Sequence, residues 1–537
     1  MRNVAAYNAQ IVDGRIHLSR CVDGVVTEIA PSNWSQAIAW LTEPPAGDPD
    51  YFTVVWNLRD FTRVLFSLLP DDLQADAINN DRTLYENVKI FNVGGRYLGL
   101  TATIPDAPGS NIVHRAELNL QALKWWVSED DGGPATAEDA WKIGVNIVEA
   151  LAKMNFFPTK LSSPVGVFCD CYLGDARKYP TIFGFPEEWF DAQVYATNTM
   201  RNEWRGAYQL GAFEKTHLYD LVSAYPSAIA RLPSTDAKDC RCEHATERPE
   251  WAVWGMMYGT VEVDVDISPL VLDLGDGERM MPKGQWQTFL TTSEWDWLTK
   301  WGAGRFKMED GWFFQFGKSR PYKAAMDQLF AWKSQDDRMV STIAKKMSQG
   351  VSGKLDEDRA DGKKGDYYNP ILAAMTRTYC RTRVANFIYE NKLQEDLIAV
   401  LVDSVLASRP VELPEGPKAM GTWRYEGEQP AIVLSKGGIW RPGKRPQGIA
   451  YEALSAALAE RPNDSYYEFK TASGSTRSID LAVDGSGADR EFDDYPKRGK
   501  DMTAGPFRST AIEVGKEDYA DGALTSLTDV RSQTAQR

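Results

Sequence analysis

Hydrophobic and polar positions change period along the chain, and the changes mark out its elements. Residues 1–160 alternate short β-type runs (RNVAAYNAQIV, YFTVVWNL and VKIFNVGGRYLGLTAT) with stretches of helical spacing, SNWSQAIAWLTE and TAEDAWKIGVNIVEALAKM. That alternation predicts an α/β domain. Proline and glycine punctuate residues 158–190. A second region, 215–410, mixes strands such as GTVEVDVDI and LIAVLVDSVLA with long helices at 321–351 and 371–392, and reads as α+β. Past residue 480 the chain is rich in Gly, Asp, Ser and Thr with few large apolar residues, the pattern of a flexible tail at its end.

At 537 residues, 43% hydrophobic and 25% charged, the chain has the composition of a globular protein of several domains. No apolar stretch approaches the roughly 18 residues that span a bilayer, and the N-terminus lacks the apolar core of a signal peptide. The expectation is an intracellular protein with no membrane partner. Six cysteines in a chain of this length do not form a disulfide framework. Two close pairs, Cys169/Cys171 and Cys240/Cys242 with His244 nearby, match structural zinc spacing poorly and read as ordinary thiols.

A net charge of −15 argues against nucleic-acid binding, which draws on Lys and Arg for its phosphate contacts. Local charge alters that picture. Residues 318–354 carry Lys318, Arg320, Lys323, Lys333, Arg338, Lys345, Lys346 and Lys354 against Asp327, Asp336 and Asp337, a local balance of +5. A basic channel and a solvated helix face both fit this run.

Three strings carry candidate chemistry. In HLYDLVSAYPSAIARLP, Asp220 closes a β-type run and is followed by Ser223, Tyr225 and Pro226 at the start of a helix. A carboxylate in that position holds a metal or caps the helix, and the string alone leaves both open. LIAVLVDSVLAS sets Asp403 inside an aliphatic run, where an unpaired carboxylate is costly and calls for a cation or a partner. Between them, STIAKKMSQGVSGKL forms a helix bearing Lys345, suited to triphosphate oxygens or simply to solvent. Two strand carboxylates holding two divalent ions are what in-line nucleotidyl transfer requires.

In this order the strings resemble motifs A, B and C of family B DNA polymerases, most closely the protein-primed branch of phages and linear plasmids. DLVSAYPS is similar to D-x-x-S-L-Y-P-S, KKMSQGVSG to K-x-x-x-N-S-x-Y-G, and LVDS to the D-T-D-S core. The resemblance implies Asp220 and Asp403 as ligands of two Mg2+ or Mn2+ ions, with Lys345 catalytic on the triphosphate. It places Lys333, Ser223 and Gln349 at the nucleotide and Tyr225 as the residue that excludes ribose. Upstream, Trp204, Arg205 and Gly206 in WRGA look like the template-contacting Y-x-G-G. Downstream, GGIW ending at Trp440 lies where K-x-Y grips the primer, and DDYPKRGKD at 493–501 resembles the end of a thumb. The chain departs from the family at Gln349, Gly350 and Ser352 in motif B, at Leu401 in motif C, at Ala207 in Y-x-G-G and at Gly438 in place of the K-x-Y lysine.

The N-terminal motifs have lost their acids. D-x-E falls on Asn8-Ala9-Gln10, H-N-x-x-F-D on WNLRDF with Asn57 kept and Phe61 in the Asp place, and Y-x-x-x-D best on Asp139 to Ile143, while an alternative alignment with Asp139 as the motif's Asp rescues one ligand only. Four neutral residues there cannot hold two metals. The resemblance thus implies an RNase H-like, inactive exonuclease-type domain (1–160), a linker region (161–214), and a right-hand polymerase. The polymerase would comprise a palm with insertion (215–320), fingers and palm helices (321–392), the motif C strand (393–420) and a thumb-like region (421–505), before a tail (506–537). Its implied activity is DNA-directed addition of dNTPs to a primer-template, without proofreading and with a terminal-protein primer as one option. A DNA- or partner-binding scaffold and a weakly templated nucleotidyltransferase are the alternatives. The interval LDEDRADGKKGD at 355–366 has no apolar alternation to form the hairpin that closes a ring around DNA in protein-primed members.

Overall fold

The computed structural model describes residues 2–480 apart from 44–49, 80–81, 94–96, 106–112, 128–135, 174–188, 201–203, 236–239, 276–277, 358–363, 417, 436–437, 462–465 and 471–475, together with 507–508 and 513–514. The thumb-end string at 493–501 and residues 358–363 of the 355–366 interval lie outside the described residues. The chain forms two compact units, one of residues 1–175 with 325–351 and one of 176–324 with 352–537.

The first unit is built on an eight-stranded mixed sheet. Its order is Val25–Ile29, Arg15–Val22, Asn3–Val12, Tyr51–Val55, Val113–Ala122, Tyr97–Pro105, Val88–Val93 and Arg82–Tyr85. The central strands Asn3–Val12, Tyr51–Val55 and Val113–Ala122 run parallel. Val4–Tyr7 and Phe52–Val55 are buried without a break, as in strands covered on both faces, and Ala5, Tyr7, Val55, Leu118 and Leu120 line the core on one face. Helix Ala137–Lys153 packs on this sheet through Gly144, where a Cβ would stand 2.8 Å from Val4 Cγ1.

The continuous helix expected over 321–351 is instead two helices, Lys323–Lys333 and Arg338–Lys354. Local hydrogen bonding breaks it. The Asp337 carboxylate accepts from the N–H groups of Met339 and Val340 at 3.0 and 3.1 Å, ending one helix and starting the next. The Ser341 hydroxyl donates to the Lys333 carbonyl at 2.7 Å across the turn. Lys153 pairs with Asp337 at 2.7 Å, and that contact, with the two N–H bonds, holds the carboxyl below its usual pKa.

The second unit has a main antiparallel sheet of Gly438–Trp440, Trp423–Ser435, Gln209–Leu221, Ser404–Ala407, Leu397–Leu401 and Arg205–Ala207. A five-stranded sheet contains Arg241–Ala245, Gly304–Gln315, Trp254–Val263 and Lys283–Thr291. Helix Pro370–Glu390, expected at 371–392, runs through the core with residues buried on all sides. Its buried Arg381 pairs with Glu294 at 2.7 Å, which is itself fixed by a capping box with Thr291.

The expected tail is a partial correction. Phe507–Arg508 pairs with Gln209–Leu210, and Glu513–Val514 joins the edge of the five-stranded sheet beside Lys283–Gly284. Polar composition did not foretell this, because an added edge strand is held by main-chain hydrogen bonds that need little apolar surface. Among the described residues no helix is long and apolar enough to cross a membrane.

Candidate active site

Asp220 is the penultimate residue of strand Gln209–Leu221 and pairs across the sheet with Ser404, whose hydroxyl donates to Asp220 Oδ1 at 2.8 Å. Asp403 immediately precedes Ser404. The sequence reading placed Asp403 inside a continuous aliphatic strand, and the structure corrects this. LIAVLVDSVLA is a hairpin of Leu397–Leu401 and Ser404–Ala407, with Val402 and Asp403 at its turn.

That turn is strained and held on three sides. The Asp403 N–H reaches back to the Leu401 carbonyl at 2.9 Å across Val402, the hydrogen-bond pattern of a γ-turn. Val402 has φ of 68°, a region β-branched residues rarely adopt. Its N–H donates to the Trp204 carbonyl at 2.9 Å, and the Leu221 N–H donates to the Asp403 carbonyl at 2.9 Å. The last bond sets Asp403 beside Leu221, next in sequence to Asp220. Both aspartates are half-buried. Among the described residues no group of three or more His, Cys, Asp or Glu is arranged to hold a metal ion. A strand-end carboxylate and one in the adjoining turn are nonetheless a hard-oxygen donor set that fits Mg2+ or Mn2+, whose other positions are commonly filled by water and substrate phosphate.

Three charged residues escaped the sequence reading, Arg424 and its partner Glu426 beside Asp220 and Arg441 after the last strand of this sheet. Arg424, its partner on strand Trp423–Ser435, brings Nη2 to 3.8 Å from Asp220 Oδ2 and pairs with Glu426. Arg441, just past Trp440, is half-buried, and its Nε has no hydrogen-bond partner. Burial pushes the Arg441 pKa below the ordinary arginine value, while the carboxylates of Asp220 and Glu426 pull it back up. Arg424 and Glu426 alternate along a strand, a visible pattern, but nothing local shows which acid they face.

Ser223 takes a left-handed conformation with φ of 49°, and its carbonyl accepts from the Ser227 N–H at 2.8 Å to open helix Ala224–Ile229. Tyr225 is half-buried in that helix against Leu221, Ala224, Ala228 and Cys380. Of the WRGA residues, Arg205 is exposed and Gly206 is buried where a Cβ would stand 2.7 Å from the Tyr208 ring. Trp204 is fully buried, with Nε1 donating to the Tyr208 hydroxyl at 3.0 Å. Trp440 is also buried, with Nε1 donating to the Ile449 carbonyl at 3.1 Å. Both rings are thus packed in the core, not on the surface where the sequence reading expected them to meet DNA. Trp204 acts through its carbonyl on the Asp403 turn.

Lys333, Lys345 and Gln349 belong to the other unit. Lys345 and Gln349 are exposed and four residues apart, hence on one face of helix Arg338–Lys354, while Lys333 lies half-buried in the last turn of the preceding helix. Gly350, the departure from the motif B serine, lies where a Cβ would meet Val165 at 2.7 Å, a close approach that favours glycine.

In the same unit Asn8 and Gln10 fall on one side of strand Asn3–Val12, half-buried and exposed. Asn57 caps helix Leu58–Phe66, accepting from the Arg59 N–H at 3.2 Å and from Lys124 Nζ at 3.1 Å while donating to Asp60. Phe61 is buried, and Asp139 is exposed and tied to Thr136 as part of a helix cap. Lys124, unnoticed in the sequence, puts an ammonium on the one motif residue that was kept.

No protein-family model matches the sequence, and no curated protein matches it. Solved structures match it in fold. Phi29 DNA polymerase complexed with single-stranded DNA aligns with a TM-score of 0.60 at 12% identity, over 89% of this chain and 99% of that one. The same polymerase complexed with primer-template DNA and incoming nucleotide substrates gives a TM-score of 0.62 at 12% identity with the same coverage. Its post-translocation binary complex with primer-template DNA gives 0.57 at 12% identity, over 82% of this chain and 87% of that one. Across most of its length, the chain therefore has the fold of phi29 DNA polymerase.

Proposed function

We propose that the chain is a DNA-directed DNA polymerase that extends a primer with dNTPs and does not proofread. The observation that carries this reading is the placement of Asp220 near the end of one strand and of Asp403 in the turn that leads into the strand paired with it, with that turn held in a strained conformation by Trp204 and Leu221. Backbone strain at a half-buried acid has a cost, and its retention suits a position serving chemistry rather than packing. The main sheet of the second unit is read as the palm, helices Lys323–Lys333 and Arg338–Lys354 as the fingers, and the region from 421 onward as thumb-like.

Bound at Asp220 and Asp403, Mg2+ or Mn2+ would supply activation of the primer hydroxyl and neutralisation of phosphate charge. Ser404 orients Asp220 through its hydroxyl. Lys333 and Lys345 are assigned to the triphosphate, Ser223 and Gln349 to the nucleotide, Tyr225 to exclusion of the 2′-hydroxyl, and Arg205 and Gly206 to the DNA strand. An intracellular site of action accords with these substrates.

A polymerase-derived binding scaffold is the second reading, favoured by the contact of Arg424 with Asp220, which already gives that acid a partner. Primer extension with purified protein separates the two, run with Mg2+, Mn2+ or chelator, with and without template, and on DNA, RNA and protein-hydroxyl primers. Template-dependent products absent from Asp220→Ala and Asp403→Asn uphold the polymerase. Binding of primer-template without extension upholds the scaffold, and products independent of template would indicate an untemplated transferase.

A further inference from the structure

The outer half of the first unit's sheet presents a row of rings to solvent. Arg82, Leu84, Lys89, Phe91, Arg115 and Asn119 are exposed there, while the alternate residues Ile90, Leu100 and Leu118 face the core. Strand pairing sets Arg82 opposite Phe91, Phe91 opposite Gly99 and Gly99 opposite Asn119. The Tyr97 ring covers Gly99, where a Cβ would stand 3.2 Å from it, and its hydroxyl donates to Asn119 Oδ1. Phe91 meets Tyr97 edge-on at 5.8 Å, with the Arg82 guanidinium 5.8 Å from the centre of the Phe91 ring. The parallel register of Tyr51–Val55 with Val113–Ala122, carried back from the Val54–Gln121 pair, brings Phe52 beside Asn119, and the Thr53 hydroxyl donates to the Asn119 carbonyl at 2.6 Å. Arg2 lies 5.7 Å over Phe52 and donates to the Thr159 carbonyl at 2.6 Å. Phe52, Phe156 and Phe157, with Arg2 and Thr159, line a cavity of about 290 Å3 in which Phe157 is 63% exposed. The row thus crosses four strands, a span of about 14 Å, from one arginine-capped ring to another.

We propose that this row is a stacking surface for single-stranded nucleic acid, with bases on Phe91 and Tyr97, one base in the cavity at Phe52, and Arg2, Arg82 and Lys89 at the phosphates. A ring face accepts any base, and a sheet bearing aromatic residues with cations at their edges suits an unpaired strand better than a duplex. Charge favours a polyanion. Arg2, Arg82, Lys89 and Arg115 stand against Asp50 and Glu117, a basic face on a chain of net charge −15. Around the rings lie Thr101, Thr103 and Asn119, too polar for the dry centre of a protein interface. The surface is separate from the places to which the motif resemblance assigns acids. Phe91 is four strands, about 19 Å, from the strand of Asn8, and Arg2 precedes that strand at the end away from Gln10.

Full-length protein in chelator is photocrosslinked to oligothymidylate carrying 5-iodouracil, and the attachment sites are mapped by mass spectrometry. Adducts are expected on Phe91, Tyr97 and Phe157. In anisotropy titrations with fluorescein-labelled oligothymidylate, Phe91→Ala/Tyr97→Ala is expected to weaken binding about tenfold while keeping the slope of log affinity against log salt. Arg82→Gln is expected to lower that slope by about 0.7. Affinity and slope at parent values in both variants overturn the proposal. Adducts confined to peptides bearing Asn8 or Asn57, or to the second unit, also overturn it, since the strand then lies elsewhere. Sedimentation velocity tests the other occupant: a parent dimer that Phe91→Ala/Tyr97→Ala dissociates would make the row an interface between copies and defeat the proposal. Thermal melting accompanies each variant. If the double variant unfolds, Arg82→Gln, at its exposed position, and the adduct map of the parent carry the test. Primer extension enters neither readout, so failure of the polymerase reading leaves this result standing.

Discussion

Two motif-bearing regions of this molecule have taken opposite courses. In the first unit, the places to which the motif resemblance assigns acids hold Asn8, Gln10, Phe61 and Ile143, and the parallel strands have a core of Tyr7, Leu18, Leu58 and Leu118. In the second, Asp220 and Asp403 remain, and the backbone around Asp403 is held in a strained turn. A sheet is stabilised by burial and ladder hydrogen bonds, to which a few half-exposed carboxylates contribute little, so charge can be lost without loss of fold. On the proposed reading, the contrast separates a structural platform from a working site.

The sharpest way to break this comparison is Asp403→Asn, which swaps a charge for a near-isosteric amide as the N-terminal region has done. Extension is expected to fall by about a hundredfold or more with the melting temperature close to that of the parent. Full activity in that variant would erase the distinction between the two regions. Next in size is Trp204→Ala. Emptying a fully buried indole should destabilise the second unit by about 3–5 kcal/mol in chemical denaturation. Trp204→Phe should recover much of this with DNA affinity unaltered, whereas a selective loss of template binding in a stable Trp204→Phe protein would return the ring to the DNA.

Sugar choice gives a more modest readout. Tyr225→Val is expected to lower the preference for dNTP over rNTP by about tenfold or more, read as a ratio of kcat/KM values, because a half-buried ring is replaced by a shorter side chain. A parent that already uses both sugars equally removes Tyr225 as a gate. The smallest expected effect is none at all. Incubated with Mg2+ or Mn2+ and no dNTP, 3′-labelled single strands and mismatched primers should stay intact with the parent. They should remain so with Asn8→Asp/Gln10→Glu, since Phe61 is buried and Ile143 offers no oxygen. Nucleotide release by the parent that disappears on altering residues 1–160 would restore the first unit as a nuclease.

The α/β pattern of residues 1–160, helix Pro370–Glu390 and the order of the three motif strings were legible because each depends on neighbours within a few turns or along one strand. Asp220 and Asp403 were nameable for the same reason, as acids set in apolar runs. Periodicity could not show that LIAVLVDSVLA folds back at Val402, since the positive φ there is stabilised by Trp204 and Leu221, each roughly 200 residues away in sequence. Nor could it show that Trp204 and Trp440 are core rather than contact surface, or that Phe507–Arg508 completes a strand pair. Arg424 faces Asp220 only because two strands 200 positions apart pair in one register. Local pattern determined which elements form and which residues can react; cross-strand pairing, a long-range and cooperative outcome, decided which charges meet.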